Sequence, residues 1–192
     1  MNLNTSFKVF DNRKWLLVFR HKFETNADLF SKESEVLFHE SKNKFSILGA
    51  IDESFRSNGV YEFLLEYPEV EGFNHWTQTK NPATCPPNTE NGYKGINITW
   101  NTYGWHGLSR SDPTSGAFID GSPFSEGWFY AIGQNANWFN AIPAFVNYYD
   151  PNYTKTCEVL LWIRISSNER TCKTKIDLKV PFISLTTLLL LS

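Results

Sequence analysis

From Gly59 onward the chain is broken by Gly, Pro or Asn every eight to twelve residues, and short apolar runs lie between the breaks. "GYKGINITW", "GAFIDG", "GWFYAIG" and "CEVLLWIRI" are the clearest of these runs. Segments of that length cannot hold long helices, but they match strands turned back by residues suited to tight bends. This punctuation predicts a sandwich or barrel-like all-β assembly rather than a parallel α/β sheet. Upstream, "KWLLVFRH" (Lys14 to His21) is a nearly continuous apolar run that reads as a buried strand. "GVYEFLLEYPE" alternates partly, begins after Asn58-Gly59 and stops at Pro68, which reads as a hairpin arm. Between them, Asn26 to Ser54 carries Leu, Phe and Ile at mixed spacings of three and four. That stretch reads as short helices, with Asn26 or Ser31 and Ser46 as N-caps. The expected fold is mainly β, a β-sandwich or jelly-roll-like assembly, with short helices in the N-terminal third.

A chain of 192 residues suits one well-packed domain and is short for two. The expected boundaries are an N-terminal extension over 1–13, a single β-rich domain over 14–165, and a polar spacer with an apolar tail over 166–192. The start, "MNLNTSFKVFDNRKW", has no apolar leader. At the other end, Ser166, Ser167 and Asn168 precede eleven mostly polar residues and then a mostly apolar tail, Val180 to Ser192. Thirteen residues are too few to span a bilayer as a helix, but the order matches the outline of a glycolipid-anchor signal. A divergent or mispredicted terminus is the favoured expectation, because such a signal requires a leader. Membrane attachment is expected only through such an anchor.

Charge narrows the partners. A net charge of −2 and a pI near 6.1, with no basic run, offer nothing for nucleic acid to bind. The three cysteines, Cys85, Cys157 and Cys172, permit one intrachain bridge. Cys85 in "NPATCPPNTENG" and Cys157 ahead of "EVLLWIRI" form the candidate pair, a staple from loop to strand in an oxidising compartment, with free buried thiols as the alternative. No Cys-x-x-Cys occurs. Asn97-Ile98-Thr99 and Asn152-Tyr153-Thr154 are candidate glycosylation sites, and Asn4-Thr5-Ser6 is a third such triplet. A chain with eighteen Asn yields triplets of this kind by chance, so they do not by themselves assign secretion.

Catalytic signatures are few. His21, His39, His75 and His106 are far apart, without the helical His pair of a zinc protease, and "DGSP" lacks the second glycine of a nucleophile elbow. Asp112, Asp120 and Glu126 lie close enough in sequence to supply the two carboxylates of a glycoside hydrolase. With Ser122 the same residues could offer hard oxygen ligands to Ca²⁺. Asp112-Pro113 and Asp120-Gly121 are also ordinary turn dipeptides, and the turn is the favoured reading. No metal or other cofactor is expected, with Ca²⁺ as the exception to test.

Aromatic residues weigh most: they make up 16% of the chain and include seven Trp. A core can absorb several large rings, yet Trp76 in "NHWTQTKNP", Trp105 in "YGWHGL" and Trp138 in "NANWFN" sit among amides, His and Gly. These three are the rings expected at the surface, and a ring beside polar donors is how sugar faces and peptide side chains are read. With His106, Trp128, Asp120 and Glu126 they form the expected ligand-binding set.

Two resemblances attach to these residues. "GWHGLSRSDPTSGAFIDGSPFSEGW" resembles the middle of a C-type-lectin-like domain, but the Ca²⁺-binding motif and the two disulfides of that family are missing. The ordered series "KWLLVFRH", "SILGAIDESFR", "YEFLLEYPE", "NHWTQTKNP", "GYKGI", "WHGL", "FIDGSP", "WFYAIG", "IPAF" and "VLLWIRI" resembles an uncharacterised domain of secreted or surface proteins from aquatic invertebrates and some protists. It spans Trp15 to Ile165. The resemblance implies an extracellular, β-rich, adhesive or lectin-like module, and it departs at Ala144, where similar chains carry Gly after Ile-Pro. The function expected is a non-enzymatic binding module at the cell surface or outside the cell, recognising a glycan or a cell-surface protein. A carbohydrate hydrolase using Asp120 and Glu126 is the first alternative, and a structural ectodomain with protein partners only is the second.

Overall fold

The computed structural model describes residues 6–100, 104–111, 116–121, 132–135, 144–145 and 155–165. The protein is mainly β, as the punctuation predicts. Strand β1 (Phe7–Phe10) turns through Asp11 and Asn12 into β2 (Arg13–Lys22). Both turn residues have positive φ, 50° and 54°, which is the geometry of a two-residue hairpin and suits Asp and Asn. Phe7–Phe10 therefore join the sheet ahead of the expected domain start at residue 14.

A run of short elements follows. A 3-10 turn (Asn26–Asp28) is closed by a capping box in which Thr25, not Asn26, accepts from Ala27. Helix α1 (Glu33–Leu37) is only five residues long. Ser31 does not cap it, but donates through its N–H and hydroxyl to Glu35 at 3.0 and 2.8 Å. The hairpin β3 (His39–Glu40) and β4 (Lys44–Ser46) comes next, and the helical piece expected after Ser46 is two 3-10 turns, Leu48–Ala50 and Glu53–Phe55. Ser46 is a buried strand residue, and Ile47 holds the N-cap position of the first turn, while the Ser46 hydroxyl accepts from the Leu48 N–H at 3.3 Å. Apolar spacings of three and four fit a helix, but here they come from residues that alternately face one core from strands and tight turns.

Beyond the Asn58-Gly59 turn the chain forms β5 (Tyr61–Glu66), β6 (Phe73–Gln78), β7 (Lys94–Ile98), β8 (Ser109–Arg110), β9 (Ala117–Asp120), β10 (Ile132–Gln134), β11 (Ala144–Phe145), β12 (Lys155–Thr156) and β13 (Glu158–Ile165). One antiparallel sheet has the order β3-β4-β2-β13-β5-β6-β7, with β1 also on β2. The last long strand thus enters between β2 and β5, so the sheet cannot close until the chain is nearly complete. Among the described residues there are also a three-stranded sheet, β10-β9-β8, and the short pair β11-β12. Ala144 is an extended strand residue opposite Thr156.

Cross-strand pairing sorts the large sheet into two faces. Phe19, Leu161, Leu65 and Asn74 are paired neighbours in one row, and Ile163, Phe63 and Trp76 in the next. This face carries the main core, with Phe30, Leu48, Leu108, Phe118, Ile119 and Ile132 packed in the same buried cluster. The small sheet and the 3-10 turns are its cover. Leu17 pairs with Trp162 and Phe19 with Leu161, so β2 has a bulge at Val18, where the chain gains one residue and its side chains change faces. Trp15, Leu16 and Leu17 alternate between the two faces and all are buried, so both faces of β2 are covered here, as they are along Tyr61–Leu65 of β5.

Candidate functional site

The second face of the large sheet is where its charged groups gather. Lys8, Trp15, Arg164 and Glu62 fall in one row across β1, β2, β13 and β5, because Lys8 pairs with Trp15, Trp15 with Arg164, and Ile163 with Phe63. Phe10 of β1 touches Phe73 of β6 with ring centroids 5.1 Å apart. Four strand spacings separate those strands in the sheet order, roughly 19 Å if the sheet were flat. The sheet therefore curls around this face, which is concave.

Glu62 is the centre of the concavity. Its Oε1 accepts from Arg13 Nη1 at 2.6 Å and from His75 Nε2 at 2.8 Å, and its Oε2 accepts from Arg164 Nη1 at 2.6 Å. A carboxylate only accepts, so the His75 proton sits on Nε2. Burial alone would raise the Glu62 pKa, but the His75 and Arg164 hydrogen bonds and the two guanidinium charges outweigh it and hold the carboxyl at about 2. Glu62 stays ionised throughout the physiological range. Its partners come from β2, β6 and β13, and Trp15 of β2 walls the site: it packs edge-on to His75 at 5.5 Å and donates from Nε1 to the Phe10 carbonyl.

A second carboxylate lies along the same strand. Glu66 accepts from Trp162 Nε1 at 2.7 Å and pairs with Lys8. Lys8 also lies 4.7 Å over the Trp162 ring, so its charge is both paired and stacked. Glu62 and Glu66 are four strand residues apart, about 13 Å along the backbone. That exceeds the spacings of about 5 to 9.5 Å used by glycoside hydrolases. The rim is more open than the floor: the side chains of Arg13 and Arg164 are 38% and 30% exposed, against 8% for Glu62. Each guanidinium has five N–H donors, and only one from each goes to Glu62, with Asp11 at 4.0 Å from Arg13 Nε. The remaining donors form a cationic edge fixed in place by a buried anion.

Trp76 and Trp105 of the ligand set expected from the sequence lie elsewhere, and neither ring is displayed. Trp76 is fully buried and Trp105 is 2% exposed. They pack edge to face, beside Phe63. The expectation of two surface rings is therefore overturned, and the polar residues beside them explain why. Gln78 Oε1 accepts from Trp76 Nε1 at 2.9 Å and from Leu108 N at 3.0 Å, while Gln78 Nε2 donates to the Lys80 and Leu108 carbonyls. Asn91 Nδ2 donates to the His106 carbonyl at 2.9 Å. The amides that suggested a surface are satisfied inside the fold and fasten the 105–109 segment across β6. Gly107, with φ of +77°, completes this clamp, and a Cβ there would stand 2.9 Å from Gln78 Oε1.

His106 and Asp120 do come together with this cluster. The His106 N–H donates to the Gly121 carbonyl at 3.0 Å, and Asp120 pairs with Ser109. The half-buried His106 ring sits edge-on to Tyr93. Trp128, Trp138, Glu126, Asp112, Ser122 and Asn152 lie outside the described residues. Among the described residues no three of His, Cys, Asp and Glu converge on one point, and no helix is long and apolar enough to cross a membrane.

The expected disulfide is also overturned, since both cysteines are free. Cys85 lies beyond the Gln78 end of β6, its Sγ 3.6 Å from Ser109 Oγ. Cys157 precedes β13 at the Glu66 end of β5, where its N–H donates to Glu69 and its carbonyl accepts from Phe23. The six-residue length of β5 and β6, about 17 Å, separates two thiols whose Cα atoms would need to lie within about 7 Å. Asn97, by contrast, is exposed on the outermost strand, β7. Sequence reading did not single out Arg13, Glu62, His75 and Arg164 as a group; only strand pairing brings residues 13, 62, 75 and 164 together. No protein-family model, no curated protein and no solved structure matches the chain.

Proposed function

We propose that the chain is a non-catalytic binding module, extracellular or at the cell surface, that takes the acidic group of a glycan on its concave face. The observation that carries this reading is the arginine pair: Glu62 accepts one N–H from each of Arg13 and Arg164, leaving the other donors at the rim. A planar guanidinium pairs well with carboxylate or sulfate, and two that are already held in position lose little freedom when they bind. The ionised Glu62, the Lys8–Glu66 pair and the tied Trp162 all have internal partners, which suits recognition better than proton transfer.

An array of neutral, carboxylated and sulfated glycans tests the reading. Acidic glycans should be retained by the wild-type chain, and the signal should fall at least tenfold in Arg164→Ala and Arg13→Ala. Neutral glycans alone on the array, or equal binding by the variants, would remove the proposal. Turnover of any glycoside that disappears in Asp120→Asn would replace it with a hydrolase.

A further inference from the structure

Strand β7 is the last strand of the large sheet, and among the described residues no other strand pairs with its outer side. Lys94, Gly95, Ile96 and Asn97 are all exposed, Ile96 at 52%. An open edge bearing an exposed apolar residue is a template for pairing with another chain. Two features of β7 work against that. Trp76 pairs with Gly95 and His75 with Asn97, so Ile96 is an unpaired bulge residue that breaks the regular edge. Lys94 adds a charge next to it. Asn97 follows the bulge directly, opposite His75, and it opens the triplet Asn97-Ile98-Thr99. Its second recognition residue, Thr99, is exposed as well. The Thr99 N–H donates inward, to the Phe73 carbonyl at 3.2 Å. Opposite His75, the Asn97 side chain stands on the concave face at its outermost strand, and its exposure leaves solvent there for a large substituent.

We propose that Asn97 carries an N-linked oligosaccharide that covers the open edge of β7. This inference rests on the extracellular part of the functional reading, because the transfer occurs in the secretory compartment. The co-reactant is a lipid-linked sugar pyrophosphate. The bond from the sugar's anomeric carbon to the pyrophosphate oxygen breaks, the bond from that carbon to Asn97 Nδ2 forms, and the amide gives up one proton. The bulky, hydrated product stands where a second strand would have to approach, so it acts together with the Ile96 bulge and Lys94.

The test uses the full chain, directed by an added cleavable leader through a eukaryotic secretory pathway. Mass mapping after enzymatic removal of N-glycans should show Asn97 converted to Asp. Wild type should carry one glycan more than Asn97→Gln or Thr99→Ala. Recovery of the Asn97 peptide unmodified overturns the proposal. Light scattering tests the shielding role: Asn97→Gln should associate at concentrations where wild type is monomeric, and adding Ile96→Lys should restore the monomer. A monomeric Asn97→Gln chain overturns that role. Loss of glycan binding in the arginine variants is scored on the array and leaves Asn97 occupancy unaffected, so the two proposals fail separately.

Discussion

The indole of Trp105 meets that of Trp76 edge to face, with ring centroids 4.9 Å apart and the planes at 73°. Trp76 in turn stacks on Phe63 at 5.5 Å, so the contact links the 105–109 segment to the centre of the main core. Edge-to-face pairs add to the area that each ring buries. Trp105→Ala should therefore cost about 3–5 kcal/mol, the range for deleting a large buried ring. Chemical denaturation measures it. A loss below about 1 kcal/mol would mean that the ring is at the surface, as its polar neighbours first suggested.

Glu62 offers a test that separates charge from packing. Glu62→Gln keeps the shape but leaves Arg13 and Arg164 without their shared anion. The expected cost is about 2–3 kcal/mol at neutral pH. That is below the roughly 3–5 kcal/mol of a fully buried pair, because both arginines keep part of their surface in water. The sign with pH follows from the lowered pKa. Stability from the Glu62 charge is complete above the ordinary carboxyl range near pH 4.5 and is lost as pH falls toward about 2. Wild type and Glu62→Gln should therefore differ most at neutral pH and converge in acid. Urea midpoints at pH 7 and pH 3 give the comparison, and an undiminished difference at pH 3 would count against it.

His21 acts in a different window. Its ring is fully buried, packs edge-on to Phe30 and donates from Nε2 to the Asp28 carbonyl at 2.8 Å. Burial lowers its pKa to about 4; the Asp28 carbonyl opposes the shift and the Lys44 charge adds to it. The unfolded chain takes up this proton near pH 6.5, whereas the native chain does so only near 4. Acid therefore favours unfolding between those values, by about 3 kcal/mol across the full shift. His21→Gln should flatten the stability profile between pH 6.5 and 4 and leave the lower Glu62 window in place. A profile equally steep in the variant would show that another group binds the proton.

The fold class and strands such as β2, β5, β7, β9 and β13 are legible because turn residues and apolar runs are local signals. Lys14 to His21 and Glu158 to Ile165 read as strands from their own composition, and both are. Strand β6 was not legible, because its buried residues include Asn74, His75 and Gln78, which are internal only because partners elsewhere satisfy them. Thr25 was missed as a cap because its role depends on Asp28 bonding back to it, a relation that propensity does not encode. The Glu62 cluster fails for the same reason on a larger scale: Arg164 is 102 residues from Glu62, and only the insertion of β13 beside β5 makes them neighbours.

The two free thiols should behave differently. Cys85 is 2% exposed and faces Ser109, whereas Cys157 is exposed beside Glu69. Partial burial and the Glu69 charge raise the Cys157 pKa, so its thiolate is scarce at neutral pH despite its exposure. Alkylation of the native chain should label Cys157 slowly at pH 7 and faster as pH rises, and should label Cys85 only after unfolding. Cys157→Ser should remove the native-state labelling of that peptide and leave Cys85 unreactive. Mild oxidation should yield no peptide linking Cys85 to Cys157, because the length of β5 and β6 keeps them apart. Recovery of that linked peptide from the folded chain would contradict the placement of either β13 or the 81–91 segment.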